Sequence, residues 1–453
     1  MPESEKNNDL SNPEHSCNPV RHEEAATFDS LGLSAFFVDR LKERNIVHPT
    51  EIQQKVIPRL LAGESFIFRS ATGTGKTFAY LLPLLERLVS LLGDGDKSAA
   101  SVLRGKPLLV VAAPTFELCS QIKSEADFLL KAAPVHTALL IGSAAPGRQI
   151  EALKRDRPEV IVGNPGRILV LARQGKLKLR NVRFLVLDEG DRLVHDELFE
   201  ETREMVSLLK SSLQDVSLQD VSIQDVPLQN APFQSAACSA TLPAKSRQRL
   251  LPLLGIREGL CSEDSLSDVL REKVEHWAFF SPEREKMELL RSLLAALETA
   301  VRKGGGRKAP PAKVLIFTGR GNQTENIAAR LRSHKLPAAA LSGGMDKTMR
   351  KQALDAFRSG QVRFLVSSDL AARGLDIADI SHVIALDVSE DRDVYLHRAG
   401  RTARAGKSGV MISIGTEGEM RRLAALEKNL GLTVYPKVLY GGRILAPEDQ
   451  QDF

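Results

Sequence analysis

Cysteine is scarce in this sequence. The 453 residues include four cysteines, at positions 17, 119, 238 and 261, with no CxxC pair and no zinc-ligand spacing. This scatter argues against a disulfide framework and against a zinc module, and it predicts a reducing compartment.

Long hydrophobic runs are missing as well. No apolar run approaches the roughly 20 residues that a bilayer-spanning helix needs. Residues 1–25 are polar and partly acidic, with neither the apolar segment of a signal peptide nor the Arg-rich pattern of a transit peptide. We therefore expect a disordered tail at 1–25, a cytoplasmic protein and no membrane partner.

A strong excess of one charge is also absent. The net charge is +5 and the pI is about 8.9, which is compatible with nucleic-acid binding without being diagnostic of it. The 43% hydrophobic and 26% charged residues are typical of a globular protein with an ample core. The length exceeds one ordinary domain and predicts two or three.

Short apolar strands alternate with helical segments along most of the chain. The strand candidates are unbroken apolar runs, which predicts an α/β fold of mostly parallel sheets with helices on both faces. Because the pattern restarts after about residue 259, we predict a first domain at 26–260, a second at 265–435 and a short tail at 436–453. The main strand candidates are 65–70, 107–114, 159–163, 183–189 and 235–241 in the first half, and 275–280, 313–318, 364–369, 382–387 and 409–414 in the second.

Two segments of the first domain have the composition of insertions. Residues 93–106 are rich in small and charged residues, and residues 211–233 contain a five-residue near-repeat, LQDVS-LQDVS-IQDVP. The repeat is too short to form a solenoid, so we predict surface loops in both places.

The segment SATGTGKT, residues 70–77, follows a predicted strand and opens a predicted helix. It matches the phosphate-binding P-loop pattern, with serine in place of the first glycine. Glycines let backbone N–H groups converge on phosphate oxygens, the lysine adds a positive charge, and the last hydroxyl is a ligand for Mg²⁺. The predicted nucleotide-binding residues of this loop are Ser70, Ala71, Thr72, Gly73, Thr74, Gly75, Lys76 and Thr77.

Three carboxylates follow the buried strand FLVLD: Asp188, Glu189 and Asp191. An apolar strand that ends in aspartate is the second half of a P-loop ATP site, so we expect Asp188 to hold Mg²⁺ together with Thr77, partly through water. Glu189 is then placed to polarise the water that attacks the γ-phosphate. The alternative is a set of solvated acids at the start of the next helix.

The ordered series of motifs resembles the DEAD-box family of ATP-dependent RNA helicases. In chain order it comprises PTEIQ, SATGTGKT, APTFEL, NPGR, DEGD, SAT, LIFTGR, SSDLAARGLD and HRAGRTAR, and it covers Phe28 to about residue 435. The resemblance implies two tandem RecA-like domains, with ATP in the cleft between them and single-stranded RNA across both.

The resemblance also implies further nucleotide contacts. Gln53 would bind the edge of adenine, and Phe28 lies where the family keeps an aromatic residue. Ile46 stands where the family stacks an aromatic ring on adenine. Gly374 and Asp376 would meet the ribose from the second domain.

HRAGRTAR carries three arginines in the second domain, which has no P-loop of its own. On the residues alone, these arginines could instead begin a solvated helix. By resemblance, Arg401 and Arg404 are arginine fingers that reach the γ-phosphate when the domains close. The residues implied to link the two domains are Asp191, Ser239, Thr241 and His397.

The family contacts the sugar–phosphate backbone of RNA, and so recognises the 2′-hydroxyl rather than the bases. The positions that match these contacts are Pro114, Thr115, Gly166, Arg167, Thr318 and Ser368. The chain departs from the family at Phe116, where arginine is usual, and at Lys347, which replaces a glutamine.

Together these observations predict RNA-stimulated ATP hydrolysis that drives strand separation or remodelling of ribonucleoprotein. Two alternatives are a non-catalytic RNA clamp or assembly scaffold, and a DNA helicase. We expect a monomer with ribonucleoprotein or ribosome-assembly partners, while RNA turnover is an equally open pathway.

Overall fold

The structure is a computed structural model of the chain. It describes residues 26–70, 73–93, 103–142, 144–214, 233–257, 266–304, 312–319, 323–372, 377, 379–403 and 407–452. The predicted N-terminal tail, most of the first predicted insertion and the near-repeat from residue 215 onward lie outside the described residues. Residues 211–214 of the second predicted surface loop belong instead to the helix Phe199–Gln214.

The first half of the chain forms a six-stranded parallel sheet. Its order is β1-β6-β5-β2-β4-β3, and every neighbouring pair is parallel. The central strands are buried along their whole length, which confirms the fold class that their unbroken apolar runs predict. The strands are β1 (Phe66–Arg69), β2 (Leu109–Ala112), β3 (Thr137–Leu140), β4 (Val160–Gly163), β5 (Phe184–Asp188) and β6 (Gln234–Ser239).

Helices connect and cover these strands. They are Ala35–Lys42, Glu51–Leu61, Lys76–Gly93, Phe116–Leu129, Pro146–Asp156, Pro165–Arg173, Gly190–Leu193, Phe199–Gln214 and Ala244–Leu254. Two apolar clusters, one on each face of the sheet, form the core of this half.

The second half repeats the arrangement with seven strands. The order is β13-β7-β12-β11-β8-β10-β9, again entirely parallel. The strands are β7 (Val274–Phe280), β8 (Val314–Thr318), β9 (Ala338–Leu341), β10 (Phe364–Ser368), β11 (His382–Ala385), β12 (Gly409–Gly415) and β13 (Val434–Pro436). Its helices are Leu266–Lys273, Lys286–Gly304, Thr324–Ser333, Lys347–Arg358, Asp369–Ala372, Arg392–Ala399 and Glu417–Leu430.

The chain continues with regular structure beyond residue 435, where the predicted second domain ends. β14 (Val438–Tyr440) and β15 (Arg443–Leu445) form an antiparallel hairpin, followed by a 3₁₀ segment at Pro447–Asp452. Leu439 and Ile444 pack against the core of the second half. The domain boundaries themselves stay a prediction.

The carboxyl ends of the parallel strands position the motifs. In the first sheet, β1 leads into the P-loop, β5 ends at Asp188 and β6 ends at Ser239. Because β1, β6 and β5 are neighbours, these three groups meet at one edge, where open α/β sheets bind their ligands. None of the described helices is long and apolar enough to cross a membrane.

Candidate active site

The P-loop adopts the conformation that its glycines allow. Gly73 and Gly75 have φ of 83° and 91°, in the region that other residues rarely occupy. The loop folds tightly on itself, because Lys76 Nζ donates to the Ser70 carbonyl at 2.7 Å and the hydroxyls of Ser70 and Thr74 lie 2.5 Å apart. Ala71 and Thr72 lie outside the described residues.

Lys76 is the positive charge of this loop. Burial lowers the pKa of its ammonium group, while the nearby carboxylates of Asp188 and Glu189 oppose that effect. An anionic phosphate would favour the charged form in the same way as these carboxylates.

Asp188 is buried, and protein groups hold its carboxylate from both sides. Tyr80 donates its hydroxyl to Oδ2 at 2.8 Å, while the Glu189 amide (2.8 Å) and the Cys238 thiol (3.2 Å) donate to Oδ1. Burial raises the pKa of both Tyr80 and Cys238, so both stay protonated donors. Thr77 lies close enough to the Tyr80 hydroxyl to oppose part of this rise in the Tyr80 pKa. The phenol of Tyr80 therefore lies beside both predicted Mg²⁺ ligands, Thr77 and Asp188.

Glu189 lies directly after this strand, in a left-handed backbone conformation with φ of 50°. It precedes the short helix Gly190–Leu193, but its side chain makes no capping hydrogen bond, which disfavours the interpretation as a helix cap. Burial raises the pKa of its carboxyl group, and the neighbouring side chains of Arg401 and His397 act against this. A carboxylate with a raised pKa and no capping role is a good candidate for a general base.

Asp191 joins the first domain to the second. Thr241 donates its hydroxyl to Asp191 Oδ2 at 2.6 Å, and His397 Nε2 lies 3.3 Å from that hydroxyl and 3.6 Å from the carboxylate. Burial opposes ionisation of Asp191, but the nearby His397 and the hydrogen bond from Thr241 outweigh burial and lower its pKa. Ser239 is buried at the end of β6, and its carbonyl accepts from the Ser70 amide at 3.0 Å. The structure thus brings these predicted linking residues together beside the P-loop.

Arg401 is 4% exposed and comes from the second domain. Together with His397 and Asp393 it lines a cavity of about 120 Å³, whose other wall carries Glu189 and Asp191 of the first domain. The cavity therefore holds the predicted base and one predicted arginine finger. Arg404, Gly374 and Asp376 lie outside the described residues.

The first arginine of HRAGRTAR has a structural role. Arg398 is buried, and its guanidinium bonds Asp369 at 2.7 Å through two nitrogens and Asp387 at 3.0 Å. All of these partners belong to the second domain, so Arg398 stabilises the loop that presents Arg401.

Gln53 connects the helix Glu51–Leu61 to the P-loop. It is 2% exposed, its Nε2 donates to the Gly75 carbonyl at 3.1 Å, and its Oε1 accepts from the Thr50 amide at 2.9 Å. Each amide atom keeps one further hydrogen-bonding position. Phe28 is buried in the first core, and Ile46 packs partly buried against the same core.

The predicted RNA contacts lie at the carboxyl edges of both sheets. Pro114 and Thr115 follow β2, Gly166 and Arg167 begin the helix Pro165–Arg173, and Thr318 and Ser368 end β8 and β10. Several are engaged locally: Thr115 Oγ1 accepts from Leu118, Arg167 donates to the Gly142 carbonyl at 2.8 Å, and Ser368 Oγ accepts from Ala371.

One ion pair between the two domains was not predicted from the sequence. Arg350 of the second domain bonds Glu117 of the first through its Nε, and it donates to the Ala371 carbonyl at 2.7 Å. Both side chains are largely shielded, at 13% and 17% exposure. The motif APTFEL contains Glu117, but nothing in the sequence pairs it with a residue 233 positions away.

This pair gives a testable prediction about domain closure. Glu117→Arg should weaken RNA binding in the presence of a non-hydrolysable ATP analogue, because two like charges then meet at the domain contact. The swap Glu117→Arg with Arg350→Glu should recover most of that loss, with an interaction energy of about 0.5–3 kcal/mol in the double-mutant cycle. Additive effects of the two changes would show that the pair does not couple the domains.

Comparisons with known proteins agree with this geometry. Residues 50–250 match the DEAD/DEAH box helicase family, and residues 285–406 match the helicase conserved C-terminal domain. The chain is 33% identical to the DEAD-box ATP-dependent RNA helicase CshC of Bacillus cereus, over 87% of this chain and 88% of that protein. It is 31% identical to the DEAD-box ATP-dependent RNA helicase CshB of Listeria monocytogenes, over 88% of this chain and 82% of that one.

The fold is also similar to that of a solved yeast protein. S. cerevisiae Dbp5 bound to RNA and ADP BeF3 superimposes with a TM-score of 0.71 at 23% identity, covering 90% of this chain and 95% of that one. The tandem sheets therefore have the RecA-like arrangement that the motifs predict. With its sequence relatives and its two-domain site taken together, the chain belongs to the DEAD-box family of ATP-dependent RNA helicases.

Proposed function

We propose that this RNA helicase hydrolyses ATP in the cleft between its two domains, and that RNA stimulates hydrolysis by stabilising their closed arrangement. The observation that carries this proposal is the cavity that Glu189 of the first domain shares with Arg401 of the second. The first domain then supplies the groups that bind the triphosphate and the predicted base, and the second supplies the arginine that stabilises the transition state. Closure couples ATP use to distortion of RNA, and so to local unwinding or ribonucleoprotein remodelling.

The residues present fit Mg²⁺ as a cofactor. Asp188 Oδ2 accepts from Tyr80 only among the described residues, so a lone pair of this oxygen is left for a metal-bound water, and Thr77 offers a second oxygen. Such hard oxygen ligands suit Mg²⁺, which keeps several of its waters. Bound with ATP, the ion would neutralise charge that develops on the phosphate oxygens.

Tyr80→Phe tests this assignment. This change removes a hydroxyl that orients Asp188 but keeps the ring. We therefore expect the Mg²⁺ concentration for half-maximal binding of a fluorescent ATP analogue to rise about 10-fold, an effect typical of residues that support metal ligands. Tyr395→Phe is the matched control, since that buried hydroxyl bonds His276 Nδ1 at 2.7 Å in the second domain. A Mg²⁺ requirement that is equal in wild type and Tyr80→Phe would contradict the assignment.

Adenine recognition is assigned to Gln53. Its amide keeps one donor and one acceptor position, which is the pattern that the adenine edge requires. Phe28, Ile46, Gly374 and Asp376 are proposed as the further residues of the nucleoside site.

Gln53→Ala should therefore erode the preference for ATP over GTP by about 1–3 kcal/mol, because a buried polar partner is lost. Gln54→Ala is the control: Gln54 also donates to a backbone carbonyl, that of Pro49 at 3.1 Å, but away from the P-loop. Competition between ATP and GTP for each variant measures the effect. An unchanged preference in Gln53→Ala would remove Gln53 from the adenine site.

RNA is proposed to cross both domains along the carboxyl edges of the sheets, through the backbone contacts at Pro114, Thr115, Gly166, Arg167, Thr318 and Ser368. Because backbone contacts carry no base information, we expect little sequence specificity. We further propose a cytoplasmic, monomeric protein with ribonucleoprotein or ribosome-assembly partners.

ATP hydrolysis with and without RNA tests the proposed function. A non-catalytic clamp would bind both ligands without turnover, which the retention of Lys76, Glu189 and Arg401 disfavours. Competition between RNA and DNA of equal sequence separates an RNA helicase from a DNA helicase. Crosslinking to cellular RNA, followed by sequencing, would distinguish ribosome assembly from RNA turnover.

A further inference from the structure

A second charged feature lies on the edge of the first sheet opposite the ATP site. The segments that precede the adjacent strands β5, β2 and β4 meet there and enclose a cleft of about 280 Å³. Five basic residues line it, Lys106, Arg157, Lys176, Lys178 and Arg180. We call it the rear cleft.

The positive charge of the rear cleft is poorly compensated. No carboxylate is among the described residues that line it, and Arg157, Lys176, Lys178 and Arg180 are exposed. Between described residues, none of these four forms an ion pair. Glu159, an acid nearby in sequence, is buried with its oxygens accepting from the amides of Gly105 at 2.7 Å and His136 at 2.9 Å. The rear cleft is therefore built to attract an anion.

ATP in the active site cannot be that anion. The rear cleft lies at the amino ends of the strands, whereas Asp188 and the P-loop lie at their carboxyl ends. The five residues of β5 alone separate the two edges by about 16 Å. The ligand must be a second anion or a remote part of a long one.

One helix links the rear cleft to the proposed RNA site. Pro165–Arg173 begins at the proposed RNA contacts Gly166 and Arg167, and it ends just before Lys176. Its nine residues span about 13 Å, a distance that a few nucleotides cover. This continuity favours RNA over an acidic protein, because an RNA strand that leaves the first site has a short path to the second.

We propose that the rear cleft binds the phosphate backbone of RNA that extends beyond the site between the two domains. The inference rests on the proposed function and extends it, because it assigns a second RNA-binding surface on the first domain. RNAs with long single-stranded extensions then bind the protein more tightly, although they make no additional contacts in the cleft where ATP is hydrolysed. The protein would select RNAs by the length of their flanks rather than by sequence.

The test uses the full chain and two RNAs, one that just fills the site between the domains and one several times longer. The rear-cleft variant carries Lys176→Gln, Lys178→Gln and Arg180→Gln. The control variant carries Lys273→Gln, Lys335→Gln and Lys428→Gln, three exposed lysines of the second domain. Affinity is measured by fluorescence anisotropy with a non-hydrolysable ATP analogue, over a range of salt concentrations.

For the rear-cleft variant we expect about a 10-fold loss of affinity for the long RNA. The slope of log affinity against log salt concentration should also be smaller in magnitude by about 2, because each of the three lost phosphate contacts contributes about 0.7. Its affinity for the short RNA and its turnover with the short RNA should match wild type. The control variant should match wild type with both RNAs.

Equal affinity and equal salt slope of wild type and rear-cleft variant on the long RNA would overturn the proposal. The same holds if the variant binds long RNA normally but loses binding of polyglutamate, which would assign the rear cleft to an acidic protein. Failure of the short RNA to stimulate ATP hydrolysis in wild type is a different result, since it contradicts the proposed function itself.

Discussion

Arg401→Ala should lower RNA-stimulated ATP turnover by about 10³–10⁵-fold, the effect typical of an arginine finger. Arg401 shares a cavity with Glu189, and its charge acts on the pKa of that carboxyl group. Because it belongs to the second domain, we propose that it meets the phosphates only in the closed arrangement, where it would stabilise the transition state rather than bound ATP. ATP affinity without RNA should therefore change little, and Arg404→Ala should behave in the same way.

The controls separate this role from folding and from general charge. Arg392→Ala removes an exposed arginine at the start of the helix that ends next to this loop, and it should leave turnover near wild type. Arg401→Lys keeps the charge but loses the planar guanidinium, so it should recover only part of the activity. If Arg401→Ala keeps near-normal turnover and a normal melting temperature, the arginine is not a finger.

Glu189→Gln should lower turnover by about 10²–10⁴-fold while ATP and RNA still bind, because the amide cannot take the proton of the attacking water. The raised pKa of Glu189 gives a further expectation. Only the ionised carboxylate acts as a base, so turnover should fall as the pH drops through this pKa, at a higher pH than for an ordinary glutamate. Single-turnover hydrolysis over a pH series measures both effects.

Glu197→Gln is the matched control for this acid. Glu197 lies eight residues further along the chain and is exposed, with Arg192 at 3.7 Å, so its replacement should leave the pH profile unchanged. Wild-type hydrolysis by Glu189→Gln in saturating RNA would show that another group, or water alone, performs the base function.

The sequence predicts the parts of this molecule that depend on local pattern. The buried strands, the P-loop turn and the position of Asp188 at a strand end all follow from short segments with distinctive chemistry. β3 and β9 are not among the main strand candidates. β9 is AAAL, which is poor in β-branched residues, and three of the four residues of β3 are only partly buried.

Contacts between distant segments could not be predicted in this way. Tyr80 meets Asp188 across 108 residues, and Glu117 meets Arg350 across 233. The motif HRAGRTAR shows the same limit, since Arg398 and Arg401 are equivalent by composition. Only packing shows that Arg398 binds acids of its own domain while Arg401 faces Glu189.

Mutual coupling of ATP and RNA binding tests the central claim most directly. If hydrolysis requires closure of the two domains, each ligand favours the closed state and must tighten the other by the same factor. The measurement is the affinity for RNA with and without a non-hydrolysable ATP analogue, and the affinity for that analogue with and without RNA. We predict two equal factors of about 5–150-fold. Independent binding of the two ligands would contradict closure as the basis of catalysis.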